Sequence, residues 1–451
     1  TPYPFTATLS INKALHSPRS LERGWGDAVL KMKMKAIQLS IATMAMAICL
    51  TSCDGWIDNA KTPNNMITAE QIVTPSMLAT IRTKEVKDGA MIANVKTLAG
   101  VAASAAFLTS GAMTDEIEPT KKPNFLIYKQ LKSDDVKPNS DVANTWNQLQ
   151  NFRARAEEVL QVEQQLSNDG TENFDAVRAY ARYTGHLYAG LAYQLLGKMF
   201  SQSTDKADGV RINNEIISNE ELLNKAQQHY SQALTEATSN ELGDKKGAFV
   251  AQTAVKQVRM LMVKLAMQRQ QYDEAATLWP EAYSNGLQVD IVYNINGGAN
   301  ELYSAVGLPA INAQVDASLV ASLNGNAEKA AIKTDKNKDG HRYLTSLEKY
   351  GPLVIIDETE MKLIKAELIV RGKMQGDATQ LVNEVMAQYA STQSISTVPT
   401  LEELVHWRHV FLFLHGCRID DLRRDMGNTD ALTAWKARKV KYIPMPELEY
   451  K

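Results

Sequence analysis

The sequence predicts a mainly α-helical fold in which paired helices stack as repeats, broken by one long irregular insertion. Three observations predict it. Apolar residues recur at three- and four-residue steps across residues 144–284, the signature of amphipathic helices. Small residues (Ala254, Ala266, Ala275, Ala282) fall where two such helices must cross closely. Residues 287–353 then lose the period and gather Gly297, Gly298, Gly307, Pro309, Gly325, Gly340, Gly351 and Pro352 among many Asn, Asp and Ser.

In chain order, residues 1–30 mix Pro, Ser and charge with no period. They are expected to be an upstream or non-native extension, with the natural start at Met32 or Met34. Residues 31–52 differ in character. Lys31, Lys33 and Lys35 precede an apolar run from Ala36 to Leu50, and Leu50-Thr51-Ser52-Cys53 closes it. A basic flank, a short apolar core and small residues before a cysteine are the order of a lipoprotein signal peptide. The run is shorter than the about 20 residues a membrane-spanning helix takes. The expectation is a mature chain that begins at Cys53, carries lipid there and lies outside the cytoplasm. A buried cysteine behind an apolar helix is the plainer alternative. No second segment is expected to cross a membrane, so the protein would sit on one by its lipid.

Residues 53–451 are expected to form a single domain. Asp54, Asp58, Pro63, Asn64 and Asn65 suggest a solvated tether, followed by a short helix near 70–83 and a buried Ala-rich helix over 95–111. Trp146, Leu149, Phe152, Ala156, Val159, Val162 and Leu166 line one helix face, which Ser167-Asn168-Asp169-Gly170 stops. Further helices are predicted over 174–200, 220–237, 248–267 and 272–284. The pairing of helices around short polar loops resembles degenerate tetratricopeptide units, and a plain helical bundle fits the same period. Short strands are expected near 289–293. Helical period returns over 358–370, 378–389 and 401–414, and an extended tail follows at 442–446.

Composition bounds the function. The chain is 44% hydrophobic and 22% charged with a net charge of −2, so nothing in its charge points to a nucleic-acid partner. Of three cysteines, Cys49 lies in the apolar run, Cys53 at its end, and Cys417 alone in the body, where no internal disulfide is available to it. No nucleophile elbow, phosphate loop, dinucleotide fingerprint or zinc-protease pattern is present. No enzymatic activity is expected.

The C-terminal part carries a resemblance. Arg408, then the apolar run Val410 to Leu414, then Gly416-Cys417-Arg418-Ile419-Asp420-Asp421-Leu422-Arg423-Arg424 matches Gly-x-Arg-x-x-Asp-Leu-x-Arg after an Arg and an apolar helix. That is the signature of the SusD/RagB family, which this chain resembles. Trp407 and His415 stand where the family usually has acidic residues. The segment from Glu360-Met361 to Ala366-Glu367 resembles the family's Glu-Met-x-Leu-x-x-Ala-Glu helix, and Tyr442-Ile443-Pro444-Met445-Pro446-Glu447 resembles its Ile-Pro-x-x-Glu segment. Arg178, Ala179, Tyr188 and Gly197 fit its first repeat more loosely.

The resemblance implies a SusD-like helical fold in a surface-exposed, lipid-anchored outer-membrane protein of Bacteroidetes-type bacteria. Such a protein would capture glycans, or peptides in some members, for a SusC-like TonB-dependent transporter, with no chemistry on the ligand. A structural lipoprotein that holds a protein partner through its repeats is the alternative from another class. The motif residues Arg408, Gly416, Arg418, Asp421 and Arg424 are expected to be structural: Gly416 as a helix C-cap, Arg418 and Arg424 paired with Asp420 or Asp421 and with free helix carbonyls.

Three groups are candidates for a site. Glycan capture calls for aromatic faces and hydroxyl-binding amides, and the insertion offers Tyr293, Tyr303 and Tyr343 with Asn294 and Asn296, though tyrosines at such positions also serve packing. Tyr283, Tyr350 and Asn300 lie nearby. Asp335, Asn337, Asp339 and Gly340 open like a calcium loop, but the twelfth position is Ser346 in place of Glu, so either calcium or a polar turn fits. His406, His409 and His415 cluster without a well-spaced acidic or thiolate partner and are expected to be structural rather than metal ligands.

Overall fold

Apolar residues at helical spacing fold into long helices, each packed against the next. In the computed structural model these are α1 (Ala90–Met113), α2 (Ser140–Gln165), α3 (Phe174–Met199), α4 (Asn219–Ala237), α5 (Ala251–Gln268) and α6 (Tyr272–Ala282), followed by α7 (Glu358–Val370), α8 (Ala378–Tyr389) and α9 (Leu401–Phe411). The structure describes residues 73–450 except 122–126, 139, 294–298, 309, 311, 391, 425 and 428. The expected leader, Cys53 and the tether lie outside the described residues. Ala69–Lys451 forms one compact unit.

From α2 to α6 each helix packs on its successor, the arrangement expected of stacked repeats. Helix α7 packs on α6, α8 and α9 and carries the stack into the C-terminal part. The helix starts are written locally. Ser218 accepts from Glu221 N at α4, Asp357 from Glu360 N at α7 and Asp377 from Gln380 N at α8. Thr400 and Glu403 close a reciprocal capping box at α9. Close crossing has its own requirement. A Cβ at Gly190 of α3 would stand 2.7 Å from the Tyr230 ring of α4, so only glycine lets these helices approach as they do.

Four expectations change. The helix expected over 70–83 shrinks to Pro75–Leu78, and the chain turns into a hairpin, Ala79–Arg82 against Glu85–Asp88, with Thr83 at φ 56° in the turn. Ala79 and Ile81 are buried while Thr80 and Arg82 are exposed, a two-residue alternation that favours a strand over a helix. Second, α1 is long and apolar enough to cross a membrane, which the sequence reading did not expect. Its Ala-rich surface is instead mostly buried against α2 and α3. Third, the insertion is built of short elements rather than irregular chain. Val289–Ile291 pairs antiparallel with Leu353–Ile356, and Ala313–Val315 with Ile117–Pro119. The strand at Val289–Ile291 falls where one was expected; its partner Leu353–Ile356 and the strands at Ala313–Val315 and Ile117–Pro119 were not read, because three or four residues give no period. Fourth, α9 ends at Phe411, short of the expected 414, and Leu414 takes φ 57° in the turn that follows.

The tail is extended, as expected. Ile443–Pro444 pairs parallel with Phe200–Ser201 at the end of α3. Trp146 Nε1 donates to Glu449 Oε1 at 3.1 Å, and Tyr450 Oη to the Gln202 carbonyl at 2.8 Å.

Candidate functional site

A cleft of about 450 Å³ opens where the insertion meets the first helices. Helix α1 supplies an apolar wall through Val101, Ala105 and Leu108. The first turns of α2 supply a polar one, Asn144, Thr145 and Gln148, whose spacing puts them on one face. Glu301 and Ser304, one turn apart on the short helix Glu301–Val306, line the cleft too, as do Tyr128 and Tyr293. Asn300 caps that short helix by accepting from Leu302 N at 2.9 Å, which fixes Glu301 at its first turn.

The electrostatics of the cleft are set by partial burial. Burial pushes the Glu301 carboxyl above the usual carboxylate range. Tyr293 is pushed up to about 12, chiefly by burial, against a hydrogen bond with Ser104 and with the Glu301 charge adding to the rise. Gln148 keeps its Oε1 buried with no hydrogen-bond partner. An acceptor left unpaired at a cleft wall is well suited to a ligand hydroxyl, because an unmade buried hydrogen bond is costly. Apolar wall, amides, hydroxyl groups and one carboxylate together can hold a polyhydroxylated ring; no nucleophile–base pair stands among the described lining residues.

Of the five residues named for ligand contact, Tyr293 lines the cleft. Its hydroxyl lies 3.0 Å from Ser104 Oγ, and the ring packs on Gly100, where a Cβ would meet the hydroxyl at 2.9 Å. Tyr303 is half-buried on the Glu301–Val306 helix and is not among the lining residues. Tyr343 lies on a hairpin, its hydroxyl 3.5 Å from Asp335 Oδ2. Asn294 and Asn296 lie outside the described residues. Sequence reasoning missed Asn144, Thr145, Gln148 and Glu301. The signal for the first three was polar residues grouped at one end of an otherwise apolar-striped helix.

The Asp335 segment is a hairpin, Thr334–Lys336 against Arg342–Leu344. Asn337 Oδ1 accepts from the backbone N–H of Asp339 at 2.9 Å and of His341 at 3.0 Å, and Gly340 sits at φ 79°. Those bonds build the turn from Asn337 and Gly340, leaving Asp335 and Asp339 exposed.

The C-terminal motif lies away from the cleft, in the core. Arg408 Nε sits 3.0 and 2.9 Å from the two Asp421 carboxylate oxygens, and Arg424 Nη2 donates to Asp421 Oδ1 at 2.6 Å and to Glu367 Oε2 at 2.9 Å. Arg418 binds both oxygens of Asp115 at 2.7 Å. Lys264 Nζ reaches Glu360 Oε2 at 2.8 Å and the Ile355 carbonyl at 2.6 Å, while Lys198 pairs with Asp420. Burial opposes the charge on Asp421, but Arg408 and Arg424 outweigh it and hold the carboxyl below its ordinary range. Burial likewise pushes the Cys417 thiol up, so it stays protonated. Gly416 is not the C-cap of α9. It takes φ 70° after the turn, and a Cβ there would stand 2.5 Å from the Phe107 ring of α1.

Beside this network, Glu116 accepts from Leu414 N at 2.8 Å and keeps its other oxygen unpaired. Burial raises it to about 8, against the Leu414 bond and helped by the Asp115 charge. The three histidines have separate partners: His406 Nε2 lies 2.9 Å from Glu328 Oε2, His409 Nε2 lies 3.5 Å from Asp115, and burial chiefly lowers His415 below its ordinary range. No group of three or more His, Cys, Asp or Glu suited to a metal occurs among the described residues. A second histidine pair, unforeseen in sequence, joins α3 to α4. His186 and His229 face each other through Nδ1 at 2.9 Å, so one ring donates and the other accepts. Burial, then His229 and Arg182, holds His186 down to about 4, and burial lowers His229 against the pull of Glu157.

No protein-family model and no curated protein sequence matches the chain. Solved structures do. A SusD superfamily protein from Bacteroides vulgatus superposes with a TM-score of 0.60 at 14% identity, covering 80% of this chain and 95% of that one. Surface glycan-binding protein A from Bacteroides thetaiotaomicron, solved in complex with laminarihexaose, gives a TM-score of 0.56 at 16% identity, over 78% and 96% of the two chains. A laminarin-binding SusD-like protein gives 0.58 at 15% identity, over 82% and 98%. Stacked helix pairs, the strands that clip the insertion to them and these superpositions lead to one conclusion: the chain has the SusD-like fold.

Proposed function

We propose that this protein captures a glycan in the cleft between α1, α2 and the Glu301–Val306 helix and passes it to a TonB-dependent outer-membrane transporter. The observation that carries the reading is the cleft itself, where an apolar wall and the polar residues Asn144, Thr145, Gln148, Glu301 and Ser304 line one cavity, within a fold shared with glycan-binding proteins. Lipid on Cys53 would tether the chain to the outer membrane and leave the body at the cell surface. The ligand is bound and released unchanged.

The test is calorimetric titration of the purified chain with a panel of oligosaccharides, laminarihexaose among them. Binding that falls in Gln148→Ala supports the reading; binding to peptides alone would replace it with the peptide alternative. Calcium is included and omitted in parallel, because Asp335 and Asp339 offer exposed carboxylates; dependence on calcium would add that hairpin to the site. Mass spectrometry of a membrane fraction tests for lipid at Cys53, and co-purification with a barrel protein tests the transporter.

A further inference from the structure

The cleft carries an electrical asymmetry that its shape does not require. Among the described lining residues one is charged, and it is an acid, Glu301. A carboxylate in such a place is normally answered by an arginine or lysine. Glu301 makes no hydrogen bond or ion pair among the described residues, and burial is the one influence shifting its carboxyl. Its field reaches across the cleft, where it acts on the hydroxyl groups of Tyr128 and Tyr293. Gln148 lines the same cleft with an unpaired buried acceptor oxygen. The cleft therefore offers two acceptors without a partner and no cation among the described residues.

Resting on the glycan reading above, we propose that Glu301 makes this cleft selective for uncharged or amine-bearing sugars and closes it to acidic ones. A half-buried carboxylate receives a ring hydroxyl in a charge-assisted hydrogen bond, and an ammonium in an ion pair. A uronate or sulfate placed there meets a like charge in a partly desolvated setting, where repulsion is several-fold stronger than in water. Gln148 and Ser304 serve hydroxyls of either kind of ring. Selection against acidic ligands thus falls to one side chain rather than to the shape of the walls.

The experiment compares three hexamers of similar length on the full chain: laminarihexaose (neutral), a chitosan hexamer (aminated) and oligogalacturonate (acidic). Wild-type protein is expected to bind one or both of the first two and to bind the acidic one at least about tenfold more weakly. Glu301→Gln keeps the shape and removes the charge. It is expected to narrow the gap between acidic and non-acidic ligands by about tenfold and to weaken the aminated hexamer most. Wild-type binding of oligogalacturonate as tight as that of the better non-acidic hexamer overturns the proposal without any variant. A gap unchanged in Glu301→Gln overturns it also, with the glycan reading intact. If none of the hexamers, nor any other glycan, binds, the glycan reading itself falls and this proposal with it.

Discussion

Asp421 is held between two arginines from different elements: Arg408 Nε lies 2.9 Å from one carboxylate oxygen, and Arg424 Nη2 lies 2.6 Å from the other. All three side chains are buried. Such a cluster is weak evidence of net stabilisation, since desolvation offsets much of the attraction, but removing one partner strands the others. Asp421→Asn is expected to destabilise the fold by about 3–5 kcal/mol, read by urea denaturation. A loss under about 1 kcal/mol would show that the arginines find other partners.

Glu116 predicts a fall in stability on the alkaline side. Its folded-state value of about 8 lies above the ordinary 4.5, so the folded protein keeps a proton that the unfolded chain releases. The contribution is complete below about pH 4.5 and declines as pH rises towards 8. Melting temperatures of wild type and Glu116→Gln, taken from pH 4.5 to 8, should converge or cross with rising pH, wild type losing more. Parallel curves would refute the assignment.

The His186–His229 pair predicts the opposite limb. With His186 held to about 4 against an ordinary 6.5, the unfolded imidazole takes a proton that the folded one refuses. Stability from this group is present above about pH 6.5 and lost as pH falls towards 4. Replacing both rings with Gln should flatten the acid limb of the stability profile; an unchanged limb assigns the acid loss to other groups.

Gly190→Ala places a methyl group 2.7 Å from the Tyr230 ring. The helices α3 and α4 must part, at an expected loss of about 1–3 kcal/mol. Gly170→Ala meets no atom within 4 Å, though its φ of 86° still strains a side chain, so the two variants separate crowding from backbone conformation.

Gln148→Ala should weaken the best ligand of the oligosaccharide panel by about tenfold, as expected for one lost hydrogen bond in a partly buried site. Thermal stability should barely move, because Gln148 Oε1 has no partner in the protein to lose. A large drop in stability with unaltered affinity would mark Gln148 as a packing residue.

Much of the helical stack was legible because it depends on near neighbours. The stripe from Trp146 to Leu166 and the stop at Gly170 rest on residues a few positions apart. What escaped was long-range. Arg418 meets Asp115, a partner 303 residues away, and no spacing rule reaches that far. The cleft was half-visible for the same reason. Tyr293 stood out as an aromatic residue in a Gly-rich insertion, whereas Asn144, Thr145 and Gln148 read as the solvated start of a helix until the insertion was folded over them. Asp335 and Asn337 show one pattern serving two readings: Asn and Gly are what a tight hairpin turn demands as well as what a calcium loop opens with.

The pairing of Ile443–Pro444 with Phe200–Ser201 joins residues 243 positions apart, and Trp146 bound to Glu449 joins residues 303 apart. Linear repeat arrays come apart from either end, unit by unit, and can begin folding before synthesis is complete. Here the α2–α3 unit lacks part of its own packing until residues near 443–449 arrive. The array is in effect looped back on itself, so it should fold late and unfold in a single concerted step.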